Sequence, residues 1–515
     1  MPSPCCSLPS ETTNGVILAK AGIQSHERYR LKSWIPAFAG MTGRRNEMTY
    51  RTILATASAL ALAACAAGPD YVAPVHPQTA AGNFVAASAA VTAEPVKGDW
   101  WRLYNDPVLD QLVADALAAN TDVRVAVARI ARARAVLRGA KADRLPQAGV
   151  SAGANYGRLP EGQRPPGAAR EDWQIDAGLD VSYEVDLFGR VSRGVEAGRG
   201  DLAAAEADAD AVRVIVAAET ARAYADAASA AERLAVAERI VKLLDQSIDL
   251  TERRRNVGLA TRLDTARIGA LRNQRQAEVP ALAAERDAAL FRLATLTGRA
   301  PADLPDTARA RSETLRLNQP IPVGDGAALL ARRPDIRAAE RRLAANTARI
   351  GVATADLYPR ITLGGSVGST GNNIGDIFTG GPLRWLLGGL INWAVNPEPA
   401  RARVAAAEAD TQAALATFDG TVLGALQETE TALSAYAHAL ERRSALQAAQ
   451  TEAQAAVNIA RARQREGDID SLALLDAERT FADAEAALAT ADAQIADTQV
   501  DLFKALGGGW QTPQA

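Results

Sequence analysis

The sequence predicts an α+β membrane protein with an internal two-fold repeat. Three observations carry this prediction. Two helical stretches of roughly 67 residues each turn at a glycine into a second long helix. Each is preceded by a pair of segments in which apolar and polar residues alternate. The two halves also match without a gap over their opening helices.

The N-terminus is set aside first. The only methionines are Met1, Met41 and Met48. After Met48 come Arg51, an apolar run from Thr52 to Leu62, and then Leu62-Ala63-Ala64-Cys65. The run is too short to span a bilayer and reads as a secretory signal over 48–64. A cysteine directly after small residues resembles a bacterial lipobox, which makes Cys65 the acylated first residue of the mature chain. The alternative is an ordinary signal peptide with a chance cysteine. Residues 1–47 read as an upstream extension, and the stretch from Ile17 to Gln24 resembles translated repeat DNA. Of Cys5, Cys6 and Cys65 only the last then survives. No disulfide is available, and stability falls to packing and oligomerisation.

Bulk properties exclude several classes. The chain has 57 Lys+Arg against 60 Asp+Glu, a formal charge of -3, so nothing selects a nucleic acid partner. Aromatics make up only 5%, and the helical stretches are crowded with Ala, Arg, Glu and Leu, a composition suited to long helices in close contact. No segment after the signal offers 18 uninterrupted apolar residues, so any bilayer crossing must be made by strands. Catalysis lacks parts. Downstream of Met48 the histidines are His76 and His438, no free cysteine remains, and no phosphate-binding or dinucleotide fingerprint sits at a strand-to-helix turn. No cofactor or metal is expected.

Val191 to Val257 reads as one helix ending at Gly258, and Ala400 to Glu466 as another ending at Gly467. Each is about 100 Å long at 1.5 Å per residue, which implies a coiled coil or helical array. The return helices are Arg262 to Leu296, with Pro280 expected to kink it, and Ser471 to Leu506. Asp122-Val123-Arg124 and Asp335-Ile336-Arg337 open matching helices, and Pro146 and Pro359 follow their ends, both at an offset of 213 (335 − 122 and 359 − 146). The turn glycines stand 209 apart (467 − 258). The first repeat is therefore placed at 65–317 and the second at 318–515. Arg332-Arg333-Pro334-Asp335 reads as a helix start, with proline near the first position and an acid in the first turn.

After each proline the period changes to two. The candidate strands are Gln147 to Gly157, Trp173 to Leu187, Arg360 to Gly368 and Leu383 to Val395, joined by loops over 158–172 and 369–382. Each is long enough for a tilted membrane strand of about 9–11 residues. The alternative is a small soluble sheet packed on helices. In a bilayer, four strands cannot close a barrel, so several copies must pool them.

At this point the chain resembles the TolC-type outer membrane factor family, in its lipoprotein branch serving drug-efflux pumps. The matching pieces span nearly all of 65–510. They are Gly68-Pro69-Asp70-Tyr71, Trp100-Trp101, Asp106-Pro107, Tyr183 to Arg190, Arg332 to Ile336, Tyr358 to Leu363, and Leu506 to Trp510. The resemblance implies a homotrimer with a 12-stranded β-barrel, four strands per chain, continued by a long periplasmic α-helical barrel. It implies an outer membrane location, a periplasmic adaptor protein meeting the hairpin tips near Gly258 and Gly467, and an inner-membrane efflux pump supplying energy to a passive duct. It also implies a periplasmic gate of Leu472 and Asp476, which share a helix face at i and i+4; an ordinary packing leucine and a solvated aspartate are the alternative. Glu478 is expected to face solvent. Where the family usually has a glycine turn at the second strand-to-helix joint, this chain has Asn396-Pro397-Glu398-Pro399. Rival readings are a duct for type I protein secretion and a lipidated periplasmic adaptor. An adaptor would carry one hairpin within β-rich domains.

Overall fold

In the computed structural model, residues 66–509 are described apart from 76–77, 96–97, 159, 161–165, 168, 318 and 379–382; all lie within the unit Leu60–Ala515. Cys65, the signal segment 48–64, residues 1–47 and Trp510 are outside the described residues. In chain order the elements are β1 Val91–Thr92, α1 Pro107–Ala119, α2 Thr121–Ala142, β2 Gln147–Arg158, β3 Glu171–Val185, α3 Arg190–Asn256, α4 Arg262–Leu296, α5 Asp306–Ala310, β4 Ile321–Pro322, α6 Gly326–Arg332, α7 Pro334–Ala355, β5 Arg360–Gly371, α8 Ile374–Phe378, β6 Leu383–Asn392, α9 Glu398–Glu466 and α10 Ser471–Ala505.

The four expected strands form one antiparallel sheet in the order β2-β3-β5-β6. Its register sorts the residues onto two chemically distinct faces, because directly opposed residues share a face. Across one face run Val150↔Leu179, Leu179↔Val367 and Val367↔Trp385, and Ala148↔Val181, Val181↔Gly365 and Gly365↔Leu387. Tyr156 and Trp173 pair at one end of this apolar face with ring centroids 5.5 Å apart, and Tyr183 lies toward the other. The opposite face carries Asp180↔Ser366, Asp176↔Thr370 and Glu184↔Thr362, with the Ser151 hydroxyl donating diagonally to Asp180 at 2.9 Å. An apolar band edged by aromatics on one side and a polar wall on the other is the pattern of a barrel strand between lipid and water.

Both joints end the strands earlier than alternation suggests. β3 stops at Val185 because Asp186 turns to cap α3, its carboxylate accepting from the amides of Val191 (2.9 Å) and Ser192 (2.8 Å). Gly189 supplies the left-handed bend at φ 77°. β6 stops at Asn392, not Val395. Asn396 Oδ1 accepts from the Glu398 amide at 3.1 Å, and Pro397 precedes the helix in a helical conformation, so proline replaces glycine without breaking the joint. One loop expected to be irregular contains the short helix α8. Pro280 lies inside α4, where it withholds the amide that would reach the Gln276 carbonyl.

The helices form two tiers. Next to the sheet the packing order is α2-α3-α7-α9; toward the tips it is α4-α3-α10-α9. Every layer therefore has two open edges: β2 and β6, then α2 and α9, then α4 and α9. The tiers meet at a waist where Trp100 stacks on Phe503 (4.5 Å, 13°) among buried Tyr224, Leu433 and Leu502. Arg332 and Arg333 do more than start a helix. Arg332 donates to the Leu506 carbonyl (2.7 Å), and Arg333 donates to the Ala505 carbonyl (2.8 Å) and pairs with Asp335 and Glu428. They satisfy the orphan carbonyls that close α10.

The face assignment is testable. Leu179→Arg puts a charge in the apolar band, at a cost of about 2–4 kcal/mol at mid-bilayer. It should abolish assembly into outer membranes, read as loss of the heat-modifiable band on gels. Asp180→Ala, on the polar wall, should assemble normally.

Candidate functional site

Each hairpin tip is built by local rules. α9 ends at Gly467 (φ 81°), where the Asp468 amide donates to the Arg463 carbonyl at 3.0 Å; Asp470 then caps α10 by accepting from the Ala473 amide at 2.8 Å. α3 ends before Gly258 (φ 79°), with the Leu259 amide on the Arg254 carbonyl at 2.8 Å. Thr261 and Asp264 then form a reciprocal capping box. The Thr261 hydroxyl and amide both donate to Asp264, holding its carboxyl below the ordinary range. A side chain at either glycine would meet no neighbour, so the left-handed backbone alone selects the residue. Around the first turn Val257, Leu259 and Leu263 are largely exposed.

Leu472 and Asp476 occupy an exposed face of α10, while Leu474, Phe481 and Ala482 on the other side are buried. The chain thus places both gate candidates on one open surface. Glu478 departs from expectation: only 4% exposed, it does not face solvent. Ser247 donates to it at 2.7 Å and Arg461 pairs with it at 3.2 Å, while its Oε2 has no partner among the described residues. It joins α3, α9 and α10 where the two hairpins meet.

Glu478 is one of a series. Glu485, Asp492 and Gln499 follow at seven-residue intervals, and all sit in or beside the helical interface. Glu485 pairs with Arg239 at 3.2 Å; Asp492 is held by Arg316 (3.0 Å) and Arg443 (2.5 Å); Gln499 meets the Tyr104 and Tyr436 hydroxyls at 3.1 and 3.3 Å. Arg275–Asp483 and Arg254, donating to the Gln464 carbonyl at 2.8 Å, add further ties between the hairpins. Burial pushes the Glu485 carboxyl up against the opposing pull of Arg239. Near the waist, burial and then the adjacent Asp226 raise Asp497, and Arg222 opposes the shift. The hairpins are thus held by a charged seam as well as an apolar one.

Among the described residues no helix is long and apolar enough to cross a membrane, and no group of acidic, histidine or cysteine side chains is arranged to hold a metal ion. A cavity of about 460 Å³ at the joints is lined by Glu184, Arg190, Asp356, Tyr358, Arg360 and Arg403. Its charges alternate and pair: Arg190–Glu184 (2.6 Å), Arg360–Asp356 (3.5 Å) and Arg403–Asp356 (3.0 Å). These pairs tie the strand ends to the adjoining helices at the junction of sheet and helices.

The sequence profile of outer membrane efflux proteins matches residues 112–299 and 327–508. The chain is 34% identical over 456 residues to the outer membrane protein OprJ of Pseudomonas aeruginosa, spanning 88% of this chain and 94% of OprJ. It is 32% identical over 420 residues to the pyoverdine export outer membrane protein OpmQ of Pseudomonas putida, spanning 80% and 88%. The solved structure of the outer-membrane channel OprN superposes with a TM-score of 0.81 at 39% identity, covering 87% of this chain and 100% of that one.

Two outcomes follow from the seam. Glu478→Ala strands the half-buried Arg461 and should destabilise the hairpin pair by about 1–3 kcal/mol, read as a lower thermal transition by circular dichroism. Asp497 has a raised pKa when folded, so the folded state binds more protons than the unfolded one. Its contribution is therefore favourable at low pH and is lost as pH rises from about 4, the ordinary carboxylate value, through its folded pKa. Asp497→Asn should flatten that part of the stability–pH profile.

Proposed function

This chain belongs to the outer membrane efflux protein family, and we propose that it acts as a homotrimeric, non-catalytic exit duct of a tripartite efflux system. The observation carrying this reading is the single sheet with a lipid-suited face, a water-suited face and two unpaired edges, continuous with long helical hairpins. Three copies supply 12 strands, enough to close a barrel with a water-filled interior. The hairpins continue the barrel into the periplasm. Cargo is small molecules of a range of chemistry, since a wide polar wall selects little.

An inner-membrane pump supplies the energy and a periplasmic adaptor docks on the tips around Gly258 and Gly467, where exposed Val257 and Leu259 offer apolar contact. The mature chain begins at Cys65, whose acyl groups tether it to the outer membrane; 48–64 are the removed signal, and 65–317 and 318–515 are the two repeats. Ala67, two residues on, donates its amide to the Phe188 carbonyl at 3.0 Å, beside the joint of sheet and helices. This is the level at which a lipid anchor is useful.

Leu472 and Asp476 form the periplasmic gate. In a trimer three such faces converge at the tip, and the repulsion among three carboxylates must be offset by hydrogen bonds, bound cations or the leucine ring. The closed state then rests on few contacts, which adaptor binding shifts toward the open one.

Leu472→Ala with Asp476→Ala should raise single-channel conductance in planar bilayers, while Glu452→Ala on the exposed surface of α9 should not. A double variant that assembles normally and conducts like wild type would place the constriction elsewhere. Cys65→Ala should lose the lipid mass in intact-protein mass spectrometry and still fold, because the anchor lies outside both barrels. Lipid retained in that variant would exclude Cys65 as the attachment point.

A further inference from the structure

The open edges of the helical tier carry their own docking instructions. Within the chain, α3 packs against α7, and Asp210 of α3 pairs with Arg337 of α7 at 3.0 Å. The sequence repeat maps α7 onto α2 at an offset of 213 and α3 onto α9 at an offset of 209. The images of the paired residues are therefore Arg124 on α2 and Asp419 on α9, the same two residue types. Inside one chain these cannot meet, because α2 and α9 are the opposite edges of the tier. Both side chains are exposed, and among the described residues neither has an ion-pair partner.

We infer that the α9 edge of one copy packs on the α2 edge of the next as α3 packs on α7, with Asp419 of one copy pairing with Arg124 of its neighbour. This rests on the homotrimeric reading above and adds the residues that set the register between copies.

Three further observations agree. First, both edges are lined with exposed small residues, Ala128, Ala131 and Ala135 on α2 and Ala405, Ala409 and Ala413 on α9, so the backbones are free to approach. The internal contact that serves as the template is close: a Cβ at Gly200 would lie 2.9 Å from that of Ala345. Second, bulk is exchanged between the helices. The Arg193 stem lies over Gly351 inside the chain, a Cβ there meeting its Cγ at 2.8 Å. The images are Ala402 and Arg138, with the large residue now on the other helix. Third, the net charges are complementary. Arg124, Arg129, Arg132 and Arg138 are exposed along α2, and Glu408, Asp410 and Asp419 along α9. The image of Ala345 is Arg132, which falls opposite Ala409, between Glu408 and Asp410.

The experiment is a charge exchange joined to a crosslink. Detergent-purified full-length variants are heated in steps, and the fraction running as oligomer is read on gels. Arg124→Asp and Asp419→Arg should each lower the dissociation temperature, and the double exchange should restore most of it. In parallel, Arg124→Cys with Asp419→Cys, treated with a short bis-maleimide, should give covalent dimers and trimers on denaturing gels. Arg337→Cys with Asp210→Cys should give only an internally linked monomer. A dissociation temperature unchanged from wild type in both single variants, or a cysteine pair that never links copies within an intact oligomer, would overturn this register and leave the homotrimer standing. A wild-type protein without any oligomer would instead overturn the reading on which it rests.

Discussion

A hydrocarbon interior offers no water to an unpaired amide, and the rest of the structure follows from that constraint. Each unpaired backbone group there costs several kcal/mol. The sheet β2-β3-β5-β6 satisfies its inner strands and leaves one row of donors and acceptors on β2 and another on β6. Among the described residues neither edge is covered by a helix, bulged or shortened in the ways that soluble proteins protect an edge. Closure with further copies resolves both rows at once. It also explains why the helical tiers end in open edges directly below the open strands.

The helices answer a different requirement, length without a thick core. α3 and α9 run for 67 and 69 residues, and much of their buried surface is alanine. Alanine permits close approach and brings little side-chain entropy to lose, but it contributes little apolar area per residue. The deficit is met in two ways. An aromatic waist around Trp100, Tyr224 and Phe503 gathers the larger side chains at one level. Below it, the seam of Glu478, Glu485, Asp492 and Gln499 fixes how the hairpins register. A charged seam contributes less net stability than an apolar one, because its groups must be desolvated.

Much of this was legible in the sequence because it rests on period. The switch from 3.6 to 2 after Pro146 and Pro359 located the strands, and Gly258 and Gly467 located the tips within a residue. Strand ends were less legible. Alternation continues through Leu187 and Val395, but the capping of α3 by Asp186 and the proline joint at 397 end the pairing first. Glu478 was not legible, because a lone acid on a helix reads as solvated and its partner Ser247 is 231 residues away. A signal did exist: polar residues at 478, 485, 492 and 499 keep a heptad spacing, which marks a face in contact with another helix. Arg332 and Arg333 were legible as a helix start, but their second task, closing the carbonyl end of α10, depends on residues more than 170 positions later. The shared exposed face of Leu472 and Asp476 was within reach, since i and i+4 spacing put them together.

The central claim is that one chain is an incomplete wall and that copies complete it. Native mass spectrometry of the unheated, detergent-extracted full chain tests this most directly. The account predicts a single dominant species of three chains, collapsing to monomer only when the strands unfold. A folded, membrane-inserted monomer with its β2 and β6 edges unpaired would contradict it.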